Sequence, residues 1–122
     1  MKRGILSLSL TLATLTPTTA LAQVVIMAQD RTFLGIVSPN RYDSDSICNR
    51  YGDYGSRYGN GIFNRYGKYG DRYSEQSAYN PRAEHPPLLI KNQQIIGFVS
   101  KNPKIANRYD PDMLQIEICQ ER

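Results

Sequence analysis

Two pairs of aspartates stand at i and i+2 in near-identical surroundings, Asp43 and Asp45 in "NRYDSDSI" (40–47) and Asp110 and Asp112 in "NRYDPDML" (107–114). Carboxylates so spaced can turn toward one hard cation, and calcium is the natural candidate. The same residues also suit plain local structure. Asp43 before Ser44, or Asp110 before Pro111, is a helix N-cap followed by a good first-turn residue, with Asp45 or Asp112 favoured by the positive end of that turn. Capping is the stronger reading. The third acid, glycine and terminal Glu of an EF-hand loop do not follow at the required spacing.

Other groups able to do chemistry are few. The lone histidine, His85, lies in "AEHPPL", beside two prolines that suit an exposed connector better than a general base. Glu75, Glu84, Glu117 and Glu121 include no pair whose sequence context marks it for glycoside hydrolysis. No G-x-S-x-G, H-E-x-x-H, Cys-His pair or phosphate-cradling glycine loop occurs. The expectation is a non-catalytic protein with no cofactor.

Two cysteines remain, Cys48 and Cys119. In an oxidising compartment they pair, and a bridge across so long a loop is worth about 4 kcal/mol on the chain-entropy model. Export is expected from the N-terminus. Met1, Lys2 and Arg3 are followed by "GILSLSLTLATLTPTTA" and by the small-x-small sequence Ala20, Leu21, Ala22, the three parts of a signal peptide over residues 1–22. Residues 23–122 then form one exported domain, periplasmic or extracellular, with no transmembrane segment. Without Lys2 and Arg3 the chain carries 13 basic and 11 acidic side chains, a formal charge of +2. That balance, with both signs mixed along the middle of the chain, argues against a nucleic-acid partner.

Aromatic chemistry is concentrated in that middle. Eight of the nine tyrosines lie in residues 42–87, where Ile47, Ile62 and Phe63 are the only other large hydrophobes. "DSICNRYGDYGSRY" (45–58), "NGIFNRYGKYGDRY" (60–73) and the shorter "QSAYNPRA" (76–83) read as three copies of one unit. Each full copy places tyrosines at i, i+3 and i+7: Tyr51, Tyr54 and Tyr58, then Tyr66, Tyr69 and Tyr73. Gly52, Gly55, Gly67 and Gly70 oppose a continuous helix. The expected unit is a short helical turn at "SICN" or "GIFN", then a loop turned by glycines at positive φ in which tyrosines lie flat over apolar surface. Arginine stems and guanidinium planes can lie on those rings.

The flanks must provide what the units cover. "FLGIVSPN" (33–40) matches "IIGFVSKN" (95–102), each preceded by an apolar run and a polar turn, which is the pattern of a β-hairpin. Gly35 and Gly97 at the same place in both second strands point to a bulge or a close backbone approach. The fold class expected is mainly β, with α+β left open. A hairpin at 23–41 and its relative within 88–122 form a small antiparallel sheet of about four strands, covered by the Tyr/Gly repeat segment 42–87. The alternation of Leu114, Ile116 and Ile118 predicts a further C-terminal strand.

"LGxxSxNxYD", "SIxNxYGxYGSxY" and an "NPPxxIxxxxxxGFVS"-like stretch at 85–100 together resemble a set of small exported bacterial proteins and domains, common in cyanobacteria. The resemblance is clearest over 33–114, and Arg82 departs from it where the third unit often has another tyrosine. It implies no activity and carries over no functional residue. Function is therefore expected to be structural or envelope-associated. The alternatives are a glycan-binding module using Tyr51, Tyr54, Tyr58, Tyr66, Tyr69 and Tyr73 on cell-envelope polysaccharide, or a module for another exported protein.

Overall fold

The structure, a computed structural model, describes residues 22–120. The expected signal peptide, Ala22 apart, lies outside them. The protein is mainly β, with strands β1 (Val24–Met27), β2 (Phe33–Ile36), β3 (Leu88–Lys91), β4 (Gln94–Val99) and β5 (Arg108–Tyr109), followed by helix α1 (Pro111–Cys119). They form one sheet in the order β2-β1-β3-β4-β5. β1–β2, β1–β3 and β3–β4 are antiparallel, and β5 is parallel to β4.

The duplication read in the sequence is a duplication in space. Each hairpin has an extra residue in its second strand: Val25 pairs with Ile36 but Met27 with Phe33, and Leu89 pairs with Gly97 but Ile90 with Ile95. Each such bulge lies beside its glycine. Gly35 has a φ of 114°, which only glycine adopts without strain, and lies against the Cβ of Tyr54. The correspondence extends beyond the strands. Ile36 N–H donates to Asp45 O and Phe98 N–H to Asn107 O, while Val37 N–H donates to Val24 O and Val99 N–H to Pro87 O. The two hairpins meet through their first strands, so the sheet has an approximate two-fold about the β1–β3 pair.

One face of the sheet is covered by the units and by α1. Ile26, Leu34, Leu89 and Val99 from the strands are buried with Ile47, Ile62, Phe63, Ala78, Tyr79 and Leu114. The units thus supply the filling that covers the apolar face of the five-stranded sheet. Cys48 and Cys119 form a disulfide that ties the first unit to the end of α1.

The C-terminal strand expected at Leu114, Ile116 and Ile118 is instead α1. Asp110 caps it, accepting from Asp112 N–H and Met113 N–H, and Pro111 takes a first-turn position. A helix brings Pro111, Leu114 and Ile118 onto one face, leaving Ile116 half exposed. A period of two and this short helical face share Leu114 and Ile118, and the cap decides between them. Asp43, offered the same role, builds only an Asx turn by accepting from Asp45 N–H.

Candidate functional site

Three buried positions repeat along the units. Ser46, Ile47 and Cys48 correspond to Gly61, Ile62 and Phe63 and to Ser77, Ala78 and Tyr79, and every one of these residues is buried. An asparagine follows each triplet and holds the unit's shape by a two-ended bond. Asn49 accepts from Tyr51 N–H and donates to Asp43 O; Asn64 accepts from Tyr66 N–H and donates to Gly59 O; Asn80 accepts from Arg82 N–H and donates to Ser74 O. Asn102, after β4, works in the same way between Lys104 N–H and Ala83 O. The turns at "SICN" and "GIFN" are closed by Asn49 N–H to Ser46 O and Asn64 N–H to Gly61 O. Among the described residues Gly35 is the one glycine at positive φ. The glycines of the units therefore do not work by left-handed turns as expected. At Gly55 and Gly70 the backbone of the same unit passes too close for a Cβ.

This framework sorts the six candidate tyrosines into two kinds. Tyr51, Tyr58, Tyr66 and Tyr73, the outer members of each triplet, are 85 to 98 % exposed. The middle members turn inward to the first hairpin. Tyr54 meets Phe33 edge-to-face at a centroid distance of 5.0 Å. Tyr69 packs against the core and donates from its hydroxyl to Asp30 Oδ2 at 2.7 Å, with Thr32 Oγ1 at 3.0 Å. Lying flat is thus wrong for the outer four.

Asp30, in the β1–β2 turn, also receives Lys68 Nζ at 3.1 Å and Thr32 N–H. The Tyr69 hydroxyl first, then Thr32 and Lys68, hold its carboxyl well below the ordinary value of 3.8. A carboxyl depressed in the folded state stabilises it above the unfolded pKa, and that contribution is lost as pH falls. The urea midpoint is therefore expected to decline below about pH 4, and to decline less steeply in Asp30→Asn, which starts lower at pH 7. Parallel pH profiles for the two proteins would remove Asp30 from this role.

Three of the four outer tyrosines border clefts, Tyr51 and Tyr58 a larger one and Tyr73 a smaller. The larger, of about 800 Å³, has Arg57 and Tyr58 from the end of the first unit, Phe63 and Arg65 from the second, and Tyr79 and Asp112 in its wall; Arg50 and Tyr51 also line it. Arg65 lies 3.9 Å over the ring of Tyr79, the stacking expected of arginine but on a tyrosine outside the six. Tyr79 donates to Asp112 Oδ1 at 2.6 Å. Burial, and that bond, push the Tyr79 phenol far above its ordinary value. A smaller cleft of about 440 Å³ has Arg72 and Tyr73 from the second unit with Asn80, Pro81 and Arg82 from the third.

The aspartates weighed for calcium are placed otherwise. Lys101 Nζ bridges Asp110 Oδ2 at 3.0 Å and Asp112 Oδ2 at 2.7 Å, so an ammonium stands where a shared cation would be. Burial works against the charge of Asp112, yet hydrogen bonds from Lys101 and Tyr79 hold its pKa below the ordinary value. Asp43 and Asp45 are tied by the Asx turn. Among the described residues no group of three or more His, Cys, Asp or Glu side chains could hold a metal ion. His85 is exposed and lies 3.6 Å from Glu75 through Nδ1. No described helix is long and apolar enough to cross a membrane.

The arginines of the clefts are the part of the site that residue-by-residue reading missed. Their signal was the repeated ending "RY" at 57–58 and 72–73, which charge counting averages away. No family model, curated protein or solved structure matches the chain.

Proposed function

We propose that the protein is a non-catalytic exported protein of the cell envelope that binds polysaccharide through its outward tyrosines. The observation that carries this reading is the division of labour within each unit. Tyr54 and Tyr69 are spent on packing, whereas Tyr51, Tyr58, Tyr66 and Tyr73 stand in solvent with their N–H groups held by the side chains of Asn49, Ser56, Asn64 and Asp71, and packing gives no reason for their rings. Aromatic faces on a rigid support stack on the C–H face of sugar rings with little ordering cost, since tyrosine has two side-chain torsions to fix. The disulfide suits an oxidising compartment, where such polysaccharide is found.

Replacing Tyr51, Tyr58, Tyr66 and Tyr73 together by Ala is expected to abolish co-sedimentation with insoluble envelope polysaccharide and to leave Tm within a degree or two. Tyr54→Ala or Tyr69→Ala is expected to lower stability by about 2 kcal/mol, less than a fully buried ring because each is half-buried. Retention unchanged by the fourfold replacement, or absent from the unaltered protein, excludes the reading. Retention lost only with Tyr54 or Tyr69 would return the tyrosines to a purely structural role.

A further inference from the structure

The two clefts are related by the repeat. Arg57 and Tyr58 of the first become Arg72 and Tyr73 of the second, 15 residues on in each case. Each cleft is closed by residues near the next unit's asparagine, which contribute a second arginine, though not at the same position of the unit: Arg65 directly after Asn64, and Arg82 two residues past Asn80. Stacking of one unit on the next thus places the Arg-Tyr ending of a unit at the edge of a hollow twice. A single hollow is an accident of packing more easily than a pair in register.

Basic side chains outnumber acidic ones in both hollows: Arg50, Arg57 and Arg65 against Asp112 in the first, Arg72 and Arg82 against Glu75 in the second. Asp112, the acid of the first, is engaged by Lys101 and by the Tyr79 hydroxyl. Glu75, the acid of the second, accepts from Glu84 N–H and lies beside His85. The side chains of Arg57, Arg72 and Arg82 make no hydrogen bond or ion pair with the described residues, and Arg65 is held by its stack on Tyr79. A guanidinium presents a planar fork of donors matched to a carboxylate or another oxyanion. Beside each fork stands an exposed ring. A neutral sugar would use the ring and leave the arginines without purpose.

We infer that these clefts are successive subsites for one acidic polysaccharide, each taking a sugar ring on its tyrosine and an anionic substituent on its arginines. This rests on the polysaccharide reading above and names its ligand class. A nucleic acid would also offer rings and anions, but Asp53 and Asp71 interrupt the basic residues of the units, and a disulfide-forming compartment holds little of it. Two subsites in tandem make binding depend on chain length, because the second contact becomes intramolecular once the ligand spans both.

The test uses the folded, oxidised protein with oligogalacturonate of two and of eight residues, neutral dextran, and single-stranded DNA, measured by calorimetry at 50 and 500 mM salt. Octagalacturonate is expected to bind at least tenfold more tightly than either dextran or the disaccharide and to weaken at high salt. Arg57→Ala with Arg72→Ala is expected to cost at least tenfold in that affinity with Tm unchanged, and each single change less. Dextran bound as tightly as octagalacturonate, with no effect of the arginines, overturns the acidic ligand while sparing the polysaccharide reading. No binding of either carbohydrate overturns both. Preference for DNA overturns this inference in favour of a nucleic-acid surface, and equal affinity for the two uronate lengths removes the tandem subsites.

Discussion

Reduction of the Cys48–Cys119 bridge is expected to remove about 4 kcal/mol of stability, roughly 15 to 30 °C in Tm for a domain of this size. The bridge spans 71 residues and joins the first unit to the last residue of α1, so its loss frees the unfolded chain over most of its length. It also frees the helix. Nine residues do not hold a helix in water without tertiary support, and apart from the bridge α1 is held by Leu114 and Ile118 against the core, by Asp112 to Tyr79 and Lys101, and by Arg41 Nη2 to Cys119 O. Urea unfolding with and without reductant, alongside the double replacement of Cys48 and Cys119 by Ser, measures the effect. Reduced protein and double variant should agree within the cost of two buried hydroxyls. A midpoint unmoved after complete reduction, verified by thiol titration, contradicts the expectation.

Gly70→Ala is expected to cost at least about 3 kcal/mol, while Gly67→Ala, three residues away in the same loop, changes stability by less than about 0.5 kcal/mol. A Cβ at Gly70 would overlap the carbonyl oxygens of Asn64 and Ile62. Neither can withdraw: Ile62 is fully buried, and Asn64 is fixed at both ends of its side chain. At Gly67 the nearest atom, Asn64 Nδ2, lies 3.4 Å from the added carbon, an ordinary contact. Gly55→Ala should repeat the Gly70 result, because its Cβ would meet Asn49 O in the corresponding place. Equal urea midpoints for the Gly67 and Gly70 variants would mean that the loop breathes enough to absorb a methyl group, and the rigid support claimed for the outer tyrosines would go with it.

The duplicated hairpins were legible because the sequence spells them twice, glycine included, and because antiparallel strands joined by short turns are governed by neighbouring residues. Ile47, Ile62 and Phe63 were legible as pegs since a segment with three strong hydrophobes must bury them. The parallel strand β5 was not, as Arg108 and Tyr109 are exposed polar and aromatic residues whose pairing depends on the edge of β4. Tyr54 and Tyr69 follow Asp53 and Lys68 whereas each outer tyrosine follows an arginine, a difference the sequence shows but does not explain. What turns the middle ones inward is Phe33, Asp30 and Thr32, brought near by the sheet. The clefts are less local still, being made where one unit stacks on the next.

The central pair of the sheet sets the order in which the molecule can be assembled. Met27 lies opposite Leu88, so the β1–β3 ladder must wait until most of the chain is present, and contacts of such sequence separation make folding slow. The units shorten that search. Most of their bonds reach seven residues or fewer along the chain, so they are local contacts that draw in the slack between the hairpins. With residues 42–87 wound into such local loops, the ends that carry Met27 and Leu88 have far less free chain to close between them.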